Sequence, residues 1–341
     1  MKNFAIVTIA CSALWICGCA KKGQSQNSSG ETPATTASAS AGAPSTVPLF
    51  KDDEHKPVVE TVELFPVSVK GKYGYMDRKG SLKIQPTYER ALSFTEGLGA
   101  VMDAGRKWGY IDRDGKVVIK SQFDIAIPFS DGLGVVRKGM KYGAIDHKGD
   151  FVIEPKFVGL SQFFEGSAAA LAQDSAGGGI MVSAWGFVNK KGDWVIKPLF
   201  DSVTVFHDGI AGVRKTGQFW SFIDSAGNLA LPPKYIEVTQ FAEGLASVKV
   251  RTETMQQWGF IDKTGKMVIP PTFDDAQPFS EGLAGVRKGQ KWGFIDKTGK
   301  YVVPPKFDEV TQFQQGLVLV KTGDKEVYAD TAGKVVANPK S

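Results

Sequence analysis

Between residues 67 and 339 the chain writes one short unit eight times. A unit of that size cannot bury its own apolar face, so the copies must stack on one another. The mark is an aromatic–glycine pair, at Tyr73-Gly74, Trp108-Gly109, Tyr142-Gly143, Trp185-Gly186, Trp258-Gly259 and Trp292-Gly293. Trp220-Ser221 and the degenerate Glu326-Val327 complete the set. The spacing is 34 or 35 residues, broken by a longer insertion around Gly177 to Gly179 and a shorter one around Thr252 to Gln256. Four positions after each aromatic stands an acid or amide (Asp77, Asp112, Asp146, Asn189, Asp224, Asp262, Asp296, Asp330), and three later a glycine.

Each unit reads as strand, tight turn, strand. The Asp at the first turn position can accept from the backbone two residues on, and the glycine takes the left-handed conformation of a bulged hairpin. In Lys291 to Ile295, Trp292 and Phe294 point one way, Gly293 and Ile295 the other, so both faces are apolar and the strand should lie between neighbours. Gly293 marks a place where another backbone or ring packs closely. Pro86, Pro155, Pro198, Pro233, Pro271 and Pro305 should end the second strand, since proline cannot donate to a ladder. An irregular Phe-Asp-x-Ala-x-x-Phe segment follows, and a third strand returns to the next hairpin. About three short strands per unit and no helical period make the fold all-β.

These residues resemble the WG repeat, a bacterial family marked by Trp-Gly, then [FY]-I-D-x-x-G and V-I-x-P. The resemblance covers nearly all of the chain after the first 66 residues. It implies β-hairpin arrays that act as interaction modules. The array can run open, as a solenoid-like superhelix, or close into a propeller-like ring. The insertion at 173–181 and the degenerate last unit favour the open superhelix.

Residues 1–18 read as a secretory signal: a weakly basic start and an apolar run from Phe4 to Ile16, too short to span a bilayer. Ile16-Cys17-Gly18-Cys19 resembles the lipobox of bacterial lipoproteins, which implies lipid on Cys19 and an anchor in the membrane. Ala20 in place of an aspartate points to the outer membrane. Residues 19–50 are mostly Ser, Thr, Ala, Gly and Pro and form a tether reaching roughly 30 Å, and 51–66 are a lead-in. All three cysteines, Cys11, Cys17 and Cys19, precede residue 20, which excludes a disulfide scaffold, a cysteine nucleophile or a CxxC site downstream. The net charge of +5 is mild, and nucleic acid is not an expected partner outside the cytoplasm.

The sequence offers no catalytic constellation. His55, His147 and His207 lack partners at metal or triad spacing, and no metal or other cofactor is expected. Asp112-Arg113-Asp114-Gly115 faintly suggests a calcium loop but occupies a hairpin turn. The acids before glycine (Glu96, Asp131, Glu165, Asp208, Glu243, Glu281) are copies of one structural position. Two features can carry binding. The aromatic series, if exposed, is a stacking ladder for sugars; the plainer reading makes it the core of each unit. A basic stripe, Arg106, Lys107, Arg137, Lys138, Lys141, Arg214, Lys215, Arg287, Lys288 and Lys291, can attract an acidic glycan or protein, or can be a solvated edge that prevents strand addition. The expectation is a lipid-anchored, non-catalytic envelope protein that offers a scaffold to a protein partner, with a glycan as the alternative.

Overall fold

The computed structural model describes the backbone of residues 63–176 and 180–337, and their side chains except at 173–182 and 337. The expected signal, Cys19, the tether, His55 and nearly all of the lead-in lie outside the described residues. Eight antiparallel sheets follow one another along the chain. Seven have four strands hydrogen-bonded in chain order, here called a to d. In blade 7 these are Asp275–Ser280, Leu283–Lys288, Lys291–Ile295 and Tyr301–Phe307. Blade 1 has three, Phe65–Val69, Lys72–Met76 and Leu82–Tyr88, which correspond to b, c and d.

The unit therefore holds four strands, not three. The segment expected to be irregular supplies strand a, often only two residues long, as in Ile125–Ala126. Two residues suffice for a pair of ladder contacts with strand b, such as Ile125 with Arg137 and Ala126 with Val136, so little sequence signal marks it. The prolines do not end strand d either. Pro86 sits within Leu82–Tyr88, at an irregularity in its pairing with strand c. There Gly74 lies so close that a Cβ on it would stand 2.4 Å from the Ile84 carbonyl oxygen and 2.7 Å from the Pro86 nitrogen. The glycine of each aromatic–glycine pair thus faces a backbone bulge in strand d, and proline is tolerated because the ladder is already broken there. Strand d is also the exposed outer wall of the blade, with Val118, Val152, Val195, Val268 and Val302 open to solvent. Proline on such an edge blocks strand addition.

The array is a closed eight-bladed ring, not an open superhelix. Apolar side chains gather between blades rather than within them. Tyr75, Ile84 and Phe94 join blade 1 to blade 2. Phe294, Val303 and Phe313 join blade 7 to blade 8. An open row of eight has seven such junctions. Here an eighth cluster, Phe65, Val67, Met76, Leu317 and Tyr328, joins blade 8 back to blade 1. Neither feature that argued for an open array breaks a junction, and Val327 itself packs in the cluster between blades 7 and 8. The insertion lengthens strands b and c of blade 4, Ser167–Ala176 and Ile180–Asn189, along their own direction. The exchange at Glu326-Val327 leaves Tyr328, whose ring makes the closing contact, in place. Among the described residues no ladder ties the ends together: Phe65–Val69 pairs only with Lys72–Met76, so the ring closes on side chains.

Candidate functional site

Antiparallel strands put the a–b and c–d turns on one face of the ring and the b–c and d–a turns on the other. The a–b face is largely occupied with itself. Each a–b turn places an acid, or Gln315 in blade 8, and a glycine both at positive φ, such as Asp131 at 57° and Gly132 at 85°. This is the type I′ geometry that matches strand twist, with a non-glycine residue in a costly conformation. Each of these acids accepts the glycine N–H of the next blade's turn: Asp131 from Gly166 at 2.7 Å, Asp208 from Gly244 at 2.7 Å, Glu281 from Gly316 at 2.7 Å. Glu96, Glu165 and Glu243 do the same toward Gly132, Gly209 and Gly282.

A basic residue from the next blade's c–d turn adds a second tie. His147 lies 3.1 Å from Glu96, Lys190 3.0 Å from Asp131, and Lys297 3.0 Å from Glu243. Arg78 of blade 1 uses the same position to donate to the Gln315 carbonyl of blade 8, so the seam repeats the contact. The His147 ring stacks on Phe129 with centroids 4.4 Å apart, and the largely buried His207 packs against Phe164 at 4.6 Å. Burial lowers the His207 pKa from its ordinary value, against the opposing fields of Glu165 and Asp208. The turn at Asp112 is a hairpin, its carboxylate accepting from the N–H groups of Asp114 at 3.0 Å and Lys116 at 2.9 Å.

The aromatic series lies inside the blades. Trp108 and Trp258 are buried, and Tyr73, Tyr142, Trp185, Trp220 and Trp292 are half-buried. Cations from strand b cover several of the rings: Arg137 over Tyr142, Arg214 over Trp220, Lys249 over Trp258 and Arg287 over Trp292, at 5.3–6.0 Å from the centroids. The cross-strand register explains this, since Tyr142 pairs with Arg137 and Trp292 with Arg287. Much of the basic stripe is therefore committed to the fold.

Its other members lie on the b–c face. Lys107 pairs with Asp124 and Lys291 with Asp308, each at 2.5 Å, and Lys72 pairs with Glu89 at 2.6 Å. The d–a turn acid also takes the N–H of the next blade's b–c turn, as Gly139 to Asp124 at 2.6 Å and Gly323 to Asp308 at 2.8 Å. The lysine hydrogen bond holds both carboxyls below their usual range. Lys288 donates to the Thr272 carbonyl at 2.6 Å, and Lys215 lies over Phe200. Arg106, Lys138 and Lys141 are exposed. The d–a turn acids were missed at the sequence level. Each lies 17 residues after its lysine, across a strand and a turn, where no short motif links them.

An open cleft between blades 7 and 8 is lined by Gln277, Val310, Thr311, Lys321 and Glu326, the last standing where other blades carry the aromatic. Its charges are partly paired, Lys321 with Glu309 at 2.8 Å.

Comparison with known proteins gives one family match, described as WG containing repeat, over residues 73–106, 108–142, 142–173, 185–219, 220–251, 258–292 and 292–325. No curated protein matches the sequence. Among solved structures the ring is similar to apo AztD from Citrobacter koseri, at 12% identity, TM-score 0.47, covering 80% of this chain and 92% of that one. It is also similar to the acylaminoacyl peptidase of Pyrococcus horikoshii, at 10% identity, TM-score 0.48, covering 82% of this chain and 52% of that one.

Proposed function

The chain belongs to the WG containing repeat family, and from that premise we propose that its closed ring is a non-catalytic protein-interaction scaffold held at the bacterial envelope by lipid on Cys19. One observation carries this reading. Recurrent polar groups of the ring, the a–b turn acids, the d–a turn acids and the cations over the rings, have structural partners within it. What varies from blade to blade is the length and character of the turns, and turns carried on a rigid frame are where interaction proteins keep their specificity. A lipid on Cys19 and a tether of the composition read at 19–50 would allow a reach of roughly 30 Å from a membrane.

The test has two arms. Cys19→Ser moves the chain from the membrane to the soluble fraction if lipid is the anchor; continued sedimentation with the outer membrane contradicts that part. A tagged full chain, crosslinked in its native envelope, recovers one protein at fixed stoichiometry if the ring is a scaffold. Recovery of no protein above a tag-only control, together with retention on an acidic or neutral glycan matrix, replaces the scaffold by a glycan-binding module.

A further inference from the structure

Strands a, b and c of a blade set one residue each along the same cross-strand line, and in blades 6 and 7 that line reads acid, cation, indole. Glu237 pairs in register with Lys249, and Lys249 with Trp258; Asp275 pairs with Arg287, and Arg287 with Trp292. The cation is held from both sides. Lys249 lies 3.1 Å from Glu237 and 6.0 Å from the centre of the Trp258 ring, and Arg287 lies 3.7 Å from Asp275 and 6.0 Å from that of Trp292. Blade 8 keeps two members of the three. Lys321 stands in register with Glu309 and 2.8 Å from it, but the residue across from it on strand c is Glu326. The acid and the cation have no ring beside them.

The open cleft lies at this place, and every residue that lines it is described. Its volume is about 280 Å³, just under the roughly 300–1,000 Å³ of small-molecule sites. Val310 and Leu319 give it apolar wall. Three charged groups line it, Glu309, Lys321 and Glu326. The first two neutralise one another, and Glu326 has no ion-pair partner among the described residues, so one carboxylate is left over. The charges just beyond do not change that sum: Asp308 is taken by Lys291 at 2.5 Å and by the Gly323 N–H, and Asp324 and Lys325 of the b–c turn are of opposite sign. A second acceptor is unmet. Gln277 donates through Nε2 to the Val310 carbonyl at 3.0 Å, while its Oε1 is buried without a hydrogen-bond partner. The Thr311 hydroxyl is already used by the backbone of Leu319, and Gln312 offers an amide that can donate or accept.

We propose that the cleft of blade 8 binds a small aromatic amine, whose ring lies beside Lys321 as the indoles of blades 6 and 7 lie beside Lys249 and Arg287, and whose ammonium pairs with Glu326. Lys321 favours a ring over an alkyl chain, because a cation is attracted to the face of a π system. The leftover carboxylate favours a cationic ligand over a neutral or anionic one, through a charge-assisted hydrogen bond. This site would give the ring a small-molecule ligand, and it does not depend on the scaffold reading.

The experiment titrates tryptamine into the full chain, purified in detergent, by isothermal calorimetry at two temperatures, each run corrected by one into the same detergent alone. Putrescine, an amine without a ring, and indole-3-propionate, the ring with a negative charge, are run beside it. Tryptamine should bind with a dissociation constant below about 1 mM, and the other two at least about tenfold more weakly. Glu326→Trp restores the aromatic of the repeat and should abolish binding. Glu326→Gln keeps the space and should weaken tryptamine at least about fivefold while leaving neutral indole within about twofold. Each variant changes one exposed side chain, and unchanged thermal midpoints verify the fold. No saturable heat from tryptamine at either temperature overturns the site. Putrescine that binds as tightly as tryptamine makes the cleft an acidic patch and overturns the part given to the ring. Tryptamine binding that ignores Glu326→Trp lies elsewhere on the molecule and overturns the assignment. The scaffold reading stands or falls separately, by the crosslinking test above.

Discussion

Tyr328 of the last blade meets Phe65 of the first edge-on, with ring centroids 5.4 Å apart, and donates its hydroxyl hydrogen to the Pro66 carbonyl at 3.0 Å. The contact copies one made between earlier blades. Tyr75 packs on Phe94 at 4.7 Å and donates to the Leu92 carbonyl; Tyr110 packs on Phe129 at 5.0 Å and donates to the Ile127 carbonyl. In those cases the receiving ring comes from strand a or the residues just before the a–b turn, which the described part of blade 1 lacks. Phe65 fills its place from strand b. The equivalent positions elsewhere are Gly99, Gly134, Ala168, Ala211, Ala246, Ala284 and Val318, kept small in blades 2 and 3 because Phe94 and Phe129 lie against them.

That substitution makes the seam testable by stability. Phe65→Ala removes the ring that replaces a whole turn, and should cost about 3–5 kcal/mol in urea unfolding. Tyr328→Phe loses only the hydroxyl bond and should cost about 1 kcal/mol. Equal, small effects for both changes contradict a packed seam.

The glycines separate close approach from backbone conformation. A Cβ at Gly293 would stand 2.5 Å from the Val303 carbonyl oxygen, whereas Gly139 has open space and a φ of +64°. Gly293→Ala should therefore cost about 2–3 kcal/mol from overpacking against backbone, and Gly139→Ala about 1 kcal/mol from the left-handed conformation alone. Urea midpoints of the two variants measure the order; the reverse order contradicts the bulge geometry.

His207 gives the ring a pH dependence with a definite sign. Burial lowers its folded-state pKa below the ordinary 6.5, so the unfolded chain binds the extra proton. Its contribution is full above 6.5 and is lost as pH falls through that value toward the depressed one. His207→Gln should flatten the fall in urea midpoint across that window. A variant as pH-sensitive there as the parent contradicts the assignment.

Tryptophan emission reports the covered rings. Trp108 is 7% and Trp258 6% exposed, while Trp194, on an outer strand, is 37% exposed. Acrylamide quenching should be weak overall, and Trp194→Phe should remove its largest part. Strong quenching that survives Trp194→Phe contradicts burial of the repeat aromatics and revives the sugar ladder.

The repeat, its strands c and d and its turn chemistry were legible because they are local. Asp296 to Gly299 makes its own turn whatever surrounds it. The glycine of the pair was legible as a close approach, though not what it approaches. Strand a was not legible, because two residues such as Ile125 and Ala126 carry no period. Closure was not legible either. It rests on Phe65 and Tyr328, 263 positions apart, and on a side-chain exchange visible only once the blades are superposed in register. The basic stripe was legible as composition, but its partners Asp124 and Asp308 lie across a strand and a turn, so committed and free lysines look alike in sequence.

The ring itself is tested most directly by one distance. Downstream of Cys19 the chain has no cysteine, so spin labels at Lys79→Cys in blade 1 and Gln314→Cys in blade 8 are unique once Cys11, Cys17 and Cys19 are replaced by Ser. Packed sheets stand ~10 Å apart, so an open row of eight would separate its ends by about 70 Å, whereas a ring makes them neighbours. A closed ring predicts a single narrow distance below about 30 Å once the reach of the labels is added to one sheet spacing. A distribution centred near 60–70 Å, the span of the open row, would show that the blades do not close.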